Sequence, residues 1–111
     1  MKAYTDLEQS KKLAEMLPLE SADMFYDQYG VIRIGNPKER YSDYHQLPVW
    51  SLAALMDALP RIDIEKELWS SDKYDYRVKA YIDDGYVGDW FDNPVDACVD
   101  MIIKLDEQKL L

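Results

Sequence analysis

The residues able to do chemistry are few and scattered. His45 is the sole histidine and Cys98 the sole cysteine. A Ser-His-acid arrangement would have to use His45, and no Gly-flanked serine elbow accompanies it. The nearest thing to a small-molecule site is segment 35–47, where His45 lies close to Arg40, Tyr41 and Tyr44. Cys98 could be a nucleophile only if exposed beside a base. It falls instead on the apolar stripe of a helical pattern, the place of a small core residue. One Cys and one His cannot furnish a structural zinc site. Six aspartates (Asp83, Asp84, Asp89, Asp92, Asp96 and Asp100) occupy residues 83–100 with no Lys or Arg among them. They lack the spacing and the distal Glu of a calcium loop, so they read as solvated turn and rim residues. GxGxxG and GxxxxGK are both absent. The expectation is no enzyme, no cofactor and no metal.

Composition narrows the classes further. The 111 residues carry a net charge of −9, a surface that repels phosphate. Direct nucleic-acid or anionic-lipid binding is not expected. A hydrophobic fraction of 48% is ample for one core and argues against disorder. A lone cysteine points to a reducing compartment, and no stretch approaches the ~20 apolar residues of a span or the pattern of a leader. These features, with Met1 at the start, suggest a complete cytoplasmic chain forming one domain over residues 1–111.

The elements that must position any site follow from period and punctuation. Thr5-x-x-Glu8 reads as a capping box opening a helix that Pro18 ends near Leu17, with Leu7, Leu13, Ala14 and Leu17 inward. Met24–Tyr26 and Val31–Ile34 read as a hairpin around Asp27–Gly30. Pro48 suits the first turn of a second helix that Pro60 stops, apolar on most of its surface. Residues 61–69 alternate, placing Ile62, Ile64 and Leu68 on one face and Asp63, Glu65, Glu67 and Trp69 on the other. Asp84-Gly85 reads as a two-residue turn that pairs Asp83 with Tyr86, Ile82 with Val87 and Val78 with Phe91. Asn93-Pro94 opens the last helix, with Val95, Cys98, Val99, Ile102 and Leu105 inward and an Asp100–Lys104 pair outside. The sum is an α+β fold: a mainly antiparallel sheet of about five strands with three helices, order α-β-β-α-β-β-β-α.

This register sends Tyr81, Tyr86, Trp90, Arg77 and Lys79 to the outer face of the hairpin. Aromatics beside Arg are typical of protein interfaces, although a helix covering that face would make them core. The acidic tract is the second candidate surface.

Two motifs carry a resemblance: Pro48, Trp50, Ser51, Leu52 and Leu55 in the second helix, then Asn93, Pro94, Asp96 and Ala97 in the last. With a strand-rich middle between them, the chain resembles a group of small proteins of phages, prophages and mobile elements in gut bacteria. The resemblance implies a genomic context and no chemistry. The reading that follows is a small acidic accessory factor, monomer or homodimer, that binds another protein. Two alternatives stand beside it. One is an acidic DNA mimic that blocks a nucleic-acid-binding protein of the host. The other is a small-molecule site in segment 35–47.

Overall fold

Caps and proline set where the elements begin. The computed structural model describes residues 1–37 and 47–111. Helix α1 spans Leu7–Ala14, and its cap is Asp6 rather than Thr5. Asp6 Oδ1 accepts the Gln9 amide at 2.8 Å, and Gln9 Oε1 accepts the Asp6 amide at 3.1 Å. Thr5 is unavailable because it is buried in a tertiary contact. Its hydroxyl meets Ser10 Oγ at 2.8 Å and accepts the Trp50 amide at 3.1 Å. An ionised carboxylate one residue later is the better amide acceptor. The buried face also differs from expectation: Ser10, Leu13 and Leu17 are buried, while Leu7 and Ala14 face water.

After a 3-10 turn at Leu19–Ser21, β1 (Met24–Tyr26) and β2 (Ile32–Ile34) form the expected hairpin. Asp27 closes it by accepting the amides of Tyr29 and Val31. A strand not expected from sequence, β3 (Leu47–Val49), pairs antiparallel with the other side of β1. Pro48 therefore lies opposite Phe25 in an edge strand, where a missing N–H is tolerated. Helix α2 (Leu52–Ala58) begins at the Ser51 cap instead, and Ser51 is in turn held by Asp23. Only Ala54 and Leu55 within α2 are buried; Ala53, Met56 and Asp57 are exposed, so α2 is less enclosed than its composition suggests.

The second half is a separate three-stranded antiparallel sheet, ordered β4–β5–β6: Ile62–Ser70, Lys73–Ala80 and Tyr86–Val87. The period-two reading of β4 holds, since Ile62, Ile64 and Leu68 pair with Ala80, Val78 and Tyr74. Helix α3 (Pro94–Glu107) starts at the Asn93 cap, with Pro94 in its first turn. It lays Val95, Cys98, Val99, Ile102 and Leu105 against the buried side chains of Tyr76, Val78 and Ala80. The fold is α+β, and the described residues form three helices and six strands in two antiparallel sheets. No described helix is long and apolar enough to cross a membrane. The smallest dimension is 18 Å, about the depth of one helix on one sheet.

The turn before β6 differs from expectation. Gly85 N–H closes onto Ile82 O at 2.9 Å, so Gly85 ends the turn rather than filling its centre. Tyr86 pairs with Ala80 and Val87 with Lys79. An odd shift of register swaps faces. Tyr86 consequently packs toward the core, and Val87 takes the outer position. Gly88 then pairs with Val78, yet Phe91 pairs with Tyr76. Two residues, Asp89 and Trp90, oppose the single Arg77, which makes a bulge and restores Phe91 to the core side.

Candidate functional site

The outer face of the β4–β5–β6 sheet gathers most of the sequence-selected binding residues. Cross-strand register sets Asp63 beside Lys79 and Glu65 beside Arg77. Arg77 Nε donates to Glu65 Oε1 at 2.6 Å, and Lys79 Nζ stands 3.5 Å from the same oxygen. These two cations, Arg77 first, hold the Glu65 carboxyl below the ordinary range. The bulge tilts Trp90 under the Arg77 guanidinium, 4.6 Å from the ring centroid, a cation–π stack. Tyr81 is 51% exposed and donates its hydroxyl to Asp63 Oδ2 at 2.6 Å. That bond and the neighbouring carboxylates raise its pKa, so it remains a protonated donor.

Arg77, Lys79, Tyr81 and Trp90 are thus brought together; Tyr86 is not. Two residues overlooked as site members join them. Arg61 lies 5.7 Å from the Tyr81 ring, and Val87, paired with Lys79, is 54% exposed. Trp69, exposed at the register shift near the far end of β4, stands apart from them. Val87 was not readable from the sequence, because its face depends on the turn register. Arg40, Tyr41, Tyr44 and His45 lie outside the described residues.

The six aspartates do not form one surface. Asp83 and Asp84 sit in the exposed turn and Asp92 is exposed before α3. Asp89 and Asp100 converge on Lys104, at 3.2 and 2.7 Å. Asp96 lies in the first turn of α3 and accepts from Lys2 Nζ at 2.8 Å and Gln9 Nε2 at 2.7 Å. Among the described residues no group of three or more His, Cys, Asp or Glu is placed to hold a metal ion. Cys98 is fully buried, and burial pushes its thiol up to about 12, the reverse of what a nucleophile needs.

The Lys2–Asp96–Asp6 contact staples the N-terminal segment to α3 and carries a pH signature. Partial burial would raise Asp96, but hydrogen bonds from Lys2, Asn93 and Gln9 outweigh it and hold the carboxyl low. Asp6 is held low by the Gln9 amide and then Lys2. A depressed carboxylate stabilises above its unfolded pKa, and that stability is lost as pH falls through the folded value. Lys2→Met is expected to cost about 1 kcal/mol at neutral pH. The deficit should persist down to the ordinary carboxylate range and shrink as pH falls below it, as both carboxylates protonate. Urea melts at a series of pH values check this; a deficit independent of pH would mean that Lys2 acts through packing alone.

No family model matches the chain, and it matches no curated protein and no solved structure.

Proposed function

We propose that the chain is a non-enzymatic protein-binding accessory factor, and that the outer face of its second sheet is the contact surface. One observation carries this reading. α3 covers a single face of that sheet, and among the described residues no helix packs on the other, where Tyr81, Trp90 and Val87 are gathered around Arg77 and Lys79. Tyr, Trp and Arg are the residues that anchor interfaces, and Arg77 stacked on Trp90 presents both types already ordered. The Asp63, Glu65, Arg77 and Lys79 side chains supply a polar surround. The phage or mobile-element origin rests on the two helix motifs and suits a small accessory product. The DNA-mimic alternative draws less support, because Lys104 and Lys2 neutralise three of the six aspartates, Asp89, Asp100 and Asp96.

The test is affinity capture from lysate of the organism that encodes the chain, using three baits of equal thermal stability. Wild type and a distant surface variant, Tyr29→Ala, are expected to recover the same partner. A Tyr81→Ala/Trp90→Ala double variant should recover it at least about tenfold less well. Equal recovery by all three moves the contact elsewhere, and repeated failure of the wild type to recover any partner removes the reading.

A further inference from the structure

Among the described residues, no strand pairs with the outer edge of β4. β4 runs nine residues, and among the described residues only β5 pairs with it, in the order β4–β5–β6. The backbone bonding shows which of its groups point outward. On β5, Tyr76 exchanges both backbone bonds with Phe91, and the Val78 carbonyl accepts the Gly88 amide at 2.9 Å. Those two residues direct their backbone groups toward the β6 side. In an antiparallel ladder their β4 partners, Lys66 and Ile64, must then direct N–H and C=O away from β5. Ile62 and Leu68 follow by alternation. A long row of open donors and acceptors is a template for another strand.

Charge selects what can fill it. Outward along β4 stand Asp63, Glu65 and Glu67. Asp63 and Glu65 are bonded by Tyr81 and Arg77. Glu67 instead faces Asp75 directly, a like-charge pair that costs stability, and no described cation pairs with either. A second copy of the chain fits poorly. Antiparallel self-pairing centred on Lys66 sets Lys66 against Lys66 and Glu65 against Glu67, and joins two molecules of charge −9. On the other face, Ile62 and Ile64 are half-buried against the core and would be extended by apolar neighbours.

We propose that the β4 edge accepts an extended segment of a partner protein in which Lys or Arg alternates with apolar residues. The segment would add as a fourth strand: its main chain bonds the open groups of Ile64 and Lys66, and its basic side chains lie beside Glu65 and Glu67. This deepens the protein-binding reading and rests on it, but uses the sheet edge rather than the Tyr81/Trp90 face.

The probe is a blocked nine-residue peptide alternating Lys or Arg with Val or Thr. The control has the same composition with its basic residues in one block. Amide hydrogen exchange is followed by NMR on the whole chain. The alternating peptide should slow exchange of the Ile64 and Lys66 amides at least about tenfold and leave Glu65, already bonded to β5, little changed. Lys66→Pro removes an outward donor without touching the β5 ladder and should weaken binding about tenfold. Should that variant fail to fold, Glu67→Lys, which gives Asp75 a cation, should weaken the peptide several-fold. Equal binding of the blocked control would overturn the inference in favour of plain charge attraction. Concentration-dependent protection of Ile64 and Lys66 without peptide would overturn it in favour of a dimer. Protection at Tyr81 and Trp90 alone would overturn the edge inference while leaving the proposed function intact.

Discussion

Trp50→Ala is expected to lower stability by about 3–5 kcal/mol, the largest single effect in the chain. Trp50 heads the fully buried side chains and is 0% exposed. Its indole N–H donates to Ser21 Oγ at 2.9 Å, and Ser21 passes the bond on to the Pro18 carbonyl. Its backbone carbonyl accepts the Thr5 amide at 2.9 Å and its amide donates to the Thr5 hydroxyl. The residue therefore joins the N-terminal segment, the 3-10 turn and the start of α2. Truncation removes a large apolar volume from a site whose backbone is pinned on both sides, so collapse around the cavity is limited. Trp50→Phe keeps most of the volume and loses the indole bond, so a smaller loss of about 1–2 kcal/mol is expected. Urea titration separates the two. With a slope of about 1.5 kcal/mol/M, the alanine midpoint should fall by roughly 2–3 M. A loss under about 1 kcal/mol would show that α2 repacks freely.

Elements whose local signals agreed with their tertiary surroundings were legible in the sequence. The alternation of residues 61–69 makes a strand whose two faces hold as far as Leu68, where the register shifts before Ser70. Asn93-Pro94 starts α3 because a cap and a proline satisfy or omit the same orphan amides wherever the helix packs. The misreadings share a cause, a local motif outvoted by a distant partner. Pro48 looks like a first helical residue, but β1 lies alongside and draws Leu47–Val49 into a strand. Thr5 looks like a cap, but Trp50, 45 residues away, takes its hydroxyl. The candidate surface divides the same way. Arg77, Lys79 and Tyr81 lie on β5 and its continuation, so alternation alone put them on one face. Tyr86 lies past the turn, and its side was set by where Gly85 falls within that turn. Trp90 reached the expected face because the bulge at Asp89–Trp90 absorbed the shift.

The residue that follows β6 supplies the second large effect. Gly88→Val is expected to cost about 2–3 kcal/mol by overpacking. Gly88 is buried beneath α3, and its φ lies outside the left-handed region, so a side chain there is resisted by space rather than by backbone strain. A Cβ would stand 3.1 Å from Asp100 Oδ2, 3.3 Å from the Val78 carbonyl oxygen and 3.6 Å from Met101 Cε. The carboxylate can swing away, though doing so disturbs its bonds to the Asp89 amide and Lys104. The carbonyl cannot yield, because it belongs to the central strand and accepts the Gly88 amide itself. Alanine brings only the Cβ and should cost about 1 kcal/mol; the two further methyls of valine press against α3. A double-mutant cycle with Asp100→Ala tests the assignment. The Gly88→Ala penalty should shrink once the carboxylate is gone but not vanish, since the Val78 oxygen remains. Full additivity would show that Asp100 already moves aside at no cost, leaving the strand carbonyl as the sole obstacle.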